Sequence, residues 1–382
     1  MKDYLFQKFE LSRGGGAHNV RPMEGLRGFA VVLVFLVHYV TLVKPWVSDR
    51  STLAFATAIH TIGNTGVDLF FVLSGYLIYG SLINRPQSFF KFMWRRVVRI
   101  YPTFAVVFAI YVGLSFIFPA ENKIPASFWQ GLAYVVQNFF LLPGLFPIQP
   151  MITVAWSLSY EMFYYLAIPL LIVFLKLRIR SPVWRIRLFS LVAIALIIYC
   201  GATGGPIRLV MFISGIFLYE TLASNKALPR SNIAGIFALL FGLMVTLIPV
   251  GGGVGTALKI TVLFFSFYVL CLACFQHANS ILSRAFCWTA LRWLGNMSYS
   301  YYLLHGLVLK FAFLVLALFL PITPNQGDIF WGLLPVMFLI TLIPTAGLFL
   351  AIERPFSLTS DRSKIGASSL GSGNPPSVVM ER

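Results

Sequence analysis

The chain has 382 residues, of which 58% are hydrophobic, 16% aromatic and only 11% charged; an average soluble protein carries roughly 25% charge. So little charge leaves a water-soluble globule without a polar surface, which sets aside a soluble enzyme, a disordered protein and a secreted disulfide scaffold. Lys+Arg (29) exceed Asp+Glu (12) by +17, a surplus that membrane topology explains without a nucleic-acid partner, because cytoplasmic loops collect Lys and Arg. The expected fold class is all-α, a polytopic transmembrane helix bundle.

Residues 1–20 read as a polar cytoplasmic segment. They lack a short apolar core followed by a small-residue cleavage site, so no signal peptide is expected. Apolar spans follow near 28–43, 62–83, 101–118, 152–175, 188–203, 206–223, 232–250, 257–275, 297–319 and 330–352. That predicts about ten transmembrane helices with both termini cytoplasmic. The topology places 23 of the 29 basic residues on the cytoplasmic side, and the reverse orientation would put them outside. The outer side keeps Lys44, Arg50, Lys123, Arg208, Lys259 and Lys310. Segment 128–142 is apolar but flanked by prolines, and reads as an outer-face interfacial or re-entrant piece. The membrane-embedded domain thus runs over 21–356. The Ser/Gly/Pro-rich tail 357–382 is expected to be disordered. Gly14–Gly16 and Gly251–Gly253 lack phosphate-loop spacing and read as linker and turn. Cys200, Cys271, Cys274 and Cys287 lie in or beside apolar segments and read as small hydrophobes; no metal site is expected.

Charges inside hydrocarbon are costly and mark function by default. In the first span Arg27 and His38 are eleven residues apart, which leaves them about 20° apart around the helix and roughly 16 Å apart along it. Arg27 therefore lies at the cytoplasmic boundary and His38 near mid-membrane. Glu161 lies roughly 14 Å deep from the outer side, on a polar stripe with Ser157 and Tyr164. Ser298, Tyr301, Tyr302 and His305 follow the same helical spacing. Asn64 and Asp68 sit one turn apart. These groups are expected to meet in a solvated cavity. Asp68 and Glu161 also read as structural partners of one another or of a His. Glu24 reads as a partner of Arg27, and His18, His60 and His277 as solvated. The cluster Trp94-Arg95-Arg96-Val-Val-Arg99 suits either positive-inside bias or an anionic ligand gripped by Arg96 and Arg99.

The ordered motifs are Glu24-Gly-Leu-Arg27-Gly with His38, Gly66-Val-Asp68 through Gly75-Tyr, and Arg95-Arg-Val-Val-Arg99-Ile-Tyr-Pro. Then come Trp156-Ser-Leu-Ser-Tyr-Glu161, Ser298-Tyr-Ser-Tyr-Tyr-Leu-Leu-His305 and Glu353-Arg-Pro-Phe356. Together they resemble the acyltransferase-3 family of integral-membrane O-acyltransferases, from about Arg21 to Phe356. The resemblance implies transfer of an acyl group, most often acetyl, to a surface or secreted glycan or a lipid-linked sugar, in the bacterial inner (plasma) membrane. It implies cytoplasmic acyl-coenzyme A, by family habit acetyl-CoA, as donor. Arg27, Arg95, Arg96 and Arg99 would then hold its phosphates. His38 would be the general base or acyl-accepting nucleophile, and Glu161 would orient it or compensate its charge. Asp68, Tyr302 and His305 would line the acceptor side.

Some members of that family carry a fused esterase-like domain after the membrane part. Only a short tail follows Phe356 here, so transfer is expected to finish in the membrane domain or on another protein. Met162 stands where the family often has a second acid. A transporter with a buried proton relay is the alternative from a different class, although no inverted repeat is evident. Self-association, the acceptor and the acyl length stay open.

Overall fold

The computed structural model describes residues 2–11, 21–224, 232–276, 280–322 and 327–358. The expected tail 357–382 falls almost wholly outside the described residues. So do Gly14–Gly16, His18 and His277. No β-strand occurs among the described residues.

The helices in chain order are α1 (Lys2–Phe9), α2 (Arg21–Val43), α3 (Arg50–Gly63), α4 (Thr65–Ile83), α5 (Phe89–Ile117), α6 (Phe128–Phe139), α7 (Trp156–Phe174) and α8 (Pro182–Thr203). They continue with α9 (Val210–Ala223), α10 (Asn232–Leu247), α11 (Gly252–Gln276), α12 (Ile281–Phe286), α13 (Thr289–Asn296), α14 (Ser298–Phe319) and α15 (Gly327–Leu348), which runs on as a π-helical stretch over Phe349–Leu358. Eight segments among the described residues are long and apolar enough to cross a membrane. The chain is a multi-pass membrane protein. The two other expected spans are the shorter α9 and α10. Most of α9 is buried, so protein rather than lipid matches its length.

Two boundaries differ from expectation. The second span begins at Arg50, with α3 and α4 joined at Asn64. Asp49 caps α3, accepting from Thr52 N at 2.8 Å. The hydrogen bonds from Ser51 and Thr52 lower its carboxyl to about 2. The fifth helix begins at Phe89, capped by Ser88, well before the expected 101, so Arg95, Arg96 and Arg99 lie within it. Segment 128–142 contains the helix α6. Its Asn138 accepts from Met151 N at 2.7 Å and donates to Gln149 O at 3.3 Å, pinning the loop that leads into α7.

Helix α2 divides two cores. At 100° per residue, Met23, Leu26, Ala30 and Val34 fall on one side of the line through Arg27 and His38, and Val31, Phe35 and Tyr39 on the other. The first set packs into a large core with α4, α7, α9 and α11. The second packs into a smaller core with α14 and α15. Arg27 and His38 therefore lie on the seam. Cys271 and Cys274 are free and buried in the large core, packing as small hydrophobes. Glu24 pairs with Arg292 at 3.0 Å, not with Arg27 as expected. Arg292 also pairs with Glu10, tying the segment after α1 to α13.

Helix α4 crosses α9 at backbone contact. A Cβ on Gly75 would strike the carbonyl of Phe212, and one on Gly215 the carbonyl of Val72. Small residues allow such close crossings in membranes. Gly75→Leu is expected to destabilise the protein by about 1–3 kcal/mol or more, because backbone cannot retreat as a side chain does. Thermal unfolding of the detergent-solubilised protein should show a clearly lower midpoint than wild type.

Candidate active site

A cavity opens between α2, α4, α5, α7 and α14. Arg27, Arg96, Arg99, Glu161, Tyr165 and Tyr302 all contribute to its wall. The three arginines come from two helices. Arg96 and Arg99, three apart on α5, share the face that looks inward. Arg95 is exposed beside exposed Trp94 and lines no part of the cavity. The structure brings Arg96 and Arg99 to the cavity and leaves Arg95, about 100° around α5 from Arg96, exposed.

Each inward guanidinium is held differently. Arg27 donates to Ser298 Oγ through Nε at 3.1 Å and Nη2 at 2.9 Å. Arg96 lies over the rings of Phe92 and Tyr165, 5.1 and 5.3 Å from their centres, and its buried Nε has no hydrogen-bond partner. Arg99 Nη1 meets Glu353 Oε1 at 3.0 Å. Glu353 is fully buried, and its Oε2 accepts from Ser300 N at 3.0 Å and Ser300 Oγ at 2.6 Å. The π-helical stretch delivers this carboxylate, a kind of irregularity that recurs at functional sites. In the sequence Glu353 stands only as the first residue of the motif Glu353-Arg-Pro-Phe356. An acid at the end of an apolar span was the signal for it.

Glu161 lies in the cavity wall but not against His38. Its Oε1 accepts from Tyr165 Oη at 2.5 Å and Ser74 Oγ at 3.5 Å. Among the described residues no hydrogen bond or ion pair joins Glu161 to His38, so the expected orienting contact is absent. Tyr165 takes the place expected for Tyr164, which instead donates to Leu209 O and stacks on Phe212.

The partner of His38 is His305. The half-buried His38 ring lies 4.9 Å from the His305 ring, centre to centre, at 65°. His305 is fully buried. Its Nδ1 is 2.8 Å from Tyr301 O and 2.9 Å from Tyr302 O. Carbonyls only accept, so Nδ1 carries the hydrogen and Nε2 the lone pair. Tyr302 joins the levels. It lines the cavity, and its hydroxyl lies 2.7 Å from Ser157 Oγ and 3.0 Å from Val154 O. Tyr301 turns away to Thr341, 2.7 Å off.

Asp68 is fully buried on α4 and outside the cavity wall. Its Oδ1 is 3.7 Å from Arg208 Nε, and Arg208 Nη1 donates to Asn64 O at 3.1 Å. Asp68 thus pairs with Arg208, one of the expected outer charges, not with Glu161 or a His. His60 lies half-buried on α3, its Nδ1 3.4 Å from Asn64 Nδ2.

The sequence pattern of a family described as "Acyltransferase domain" matches residues 22–353. Among named proteins, "O-acetyltransferase OatA" of Staphylococcus aureus is 29% identical over 325 residues, covering 76% of this chain and 50% of that protein. "Peptidoglycan O-acetyltransferase OatA" of Listeria monocytogenes is 27% identical over 319 residues, 75% of this chain and 49% of that protein. "Acyltransferase MdmB" of Streptomyces mycarofaciens is 33% identical over 153 residues, 39% of this chain and 38% of that protein. The chain thus spans about half the length of the OatA relatives. No solved structure matches.

Glu353→Ala would strip Arg99 of its counter-charge and Ser300 N–H of its acceptor. Stability is expected to fall by about 1–3 kcal/mol. A double-mutant cycle of Glu353→Ala with Arg99→Ala, read by unfolding of the solubilised protein, should return a coupling of about 1 kcal/mol or more. Additive losses would deny the pair.

Proposed function

Because the chain belongs to the acyltransferase family whose pattern spans residues 22–353, we propose that it moves an acetyl group from cytoplasmic acyl-coenzyme A to a hydroxyl of a cell-surface glycan. The proposed location is the bacterial inner (plasma) membrane. The observation that carries this reading is the order of groups along α2. Three guanidiniums gather at a cavity below an imidazole pair, with Arg27 and His38 roughly 16 Å apart on one seam. The name of the Listeria relative makes a peptidoglycan-type polymer the first acceptor to try.

Coenzyme A presents clustered phosphates and a thioester at opposite ends of a long arm. Arg27, Arg96 and Arg99 suit the phosphates: two are already hydrogen bonded or paired, and the orphaned Nε of Arg96 awaits an acceptor. Glu161, through Tyr165, positions Arg96 rather than His38. His38 then acts as general base. It takes the proton of the acceptor hydroxyl as that oxygen attacks the thioester carbonyl carbon. The C–S bond breaks, and the imidazolium returns the proton to the departing sulfur. Tyr302 holds the junction between the levels, and Asp68 with Arg208 lies on the acceptor side.

In proteoliposomes supplied with acetyl-CoA and a glycan acceptor, His38→Ala should lower kcat by about 100-fold or more with the protein still accumulating. Arg96→Ala should instead raise the donor KM by about 10–100-fold, the worth of a charge-assisted hydrogen bond. Thiol release and mass spectrometry of the glycan read both. Full transfer by His38→Ala would overturn the assignment.

A further inference from the structure

His305 Nε2 is an anomaly that the acceptor-side reading leaves unexplained. It is a fully buried acceptor with no hydrogen-bond partner, and buried polar atoms are rarely left so. The neighbouring polar groups are committed elsewhere. Tyr301 Oη meets Thr341, Tyr302 Oη meets Ser157 and Val154 O, and His305 Nδ1 serves two backbone carbonyls. Among the described residues, the polar ring against that imidazole that carries no such commitment is His38, 4.9 Å away centre to centre. Among the described residues no carboxylate is hydrogen bonded to either ring.

We propose that His305 is the positioning residue for His38, its Nε2 accepting the N–H of one His38 nitrogen so that the other presents its lone pair to the reacting hydroxyl. This rests on the reading of His38 as base. It gives His305 the place that an acid holds in a Ser-His-Asp triad. The two carbonyls on Nδ1 fix the tautomer of His305, so Nε2 can only accept. That in turn fixes the tautomer of His38. The direction of the relay follows from burial: His38 has an exposed edge and His305 has none, so His38 alone can meet a reactant. The rings lie 4.9 Å apart centre to centre with no hydrogen bond to Nε2, and catalytic pairs commonly tighten only once substrate is bound. A neutral pair also fits the low-dielectric interior, where a carboxylate at this depth would add a desolvation cost.

The test uses full-length His305→Gln and His305→Phe in proteoliposomes. Gln keeps an acceptor near the Nε2 position, and Phe keeps only the shape. His305→Phe should lower kcat by about 100-fold with the donor KM held within about threefold. His305→Gln should recover most of the lost kcat. A second readout needs no acyl transfer: carbethoxylation of His38 by diethylpyrocarbonate, mapped by mass spectrometry. His38 labelling should slow in the Phe variant and stay near wild type in the Gln variant. If Phe fails to accumulate, His305→Asn replaces it, since Asn offers no acceptor at Nε2. Equal kcat and equal His38 labelling in Gln and Phe would overturn the proposal, as would a loss confined to donor KM. If wild type transfers no acyl group yet the labelling order holds, the positioning role stands and the acyl-transfer reading falls.

Discussion

The cost of burying charge in an apolar interior organises this molecule, and α2 is where that cost is met. One flank of the helix packs into the large core and the other into the small one. The narrow line between them carries Arg27 and His38. Every other polar group of the site approaches that line from a neighbouring helix. Arg96 and Arg99 come from α5, Glu161 from α7, and Tyr302 and His305 from α14. Close helix crossings keep the line in register: a Cβ on Gly28 would strike Leu291 O, and one on Gly295 would strike Glu24 O. The seam is a consequence of packing on both sides, and the site inherits its straightness from it.

The lower and upper halves of the site use different chemistry for one problem. Below, positive charge is tolerated because each guanidinium is shared out, to a serine hydroxyl, to aromatic faces, or to a buried carboxylate. Of these donors, the buried Nε of Arg96 keeps no hydrogen-bond partner among the described residues. Above, the imidazoles carry no fixed charge, and backbone carbonyls of α14 rather than an acid set the tautomer. The proposed donor, charged at one end and reactive at the other, would use both halves. The pairings also reassign the acids. Glu353 meets Arg99 and Asp68 meets Arg208, while Glu161 accepts from Tyr165, whose ring lies against Arg96.

The sequence determined the class of the protein, most span positions, and the shared face of Arg27 and His38. Hydrophobic run length, loop charge and helical periodicity are local quantities that need no partner helix. The motif order likewise brought out the family to which the chain belongs. Pairings were decided only by tertiary structure. Nothing within one helix tells Glu24 to choose Arg292 over Arg27, turns Arg95 outward, or seats Tyr165 rather than Tyr164 beside Glu161. The same holds for Glu353 reaching Arg99 across more than half the chain, and for His305 meeting His38. Spacing fixes which residues share a face of a helix, but only the packing of the helices fixes what that face meets.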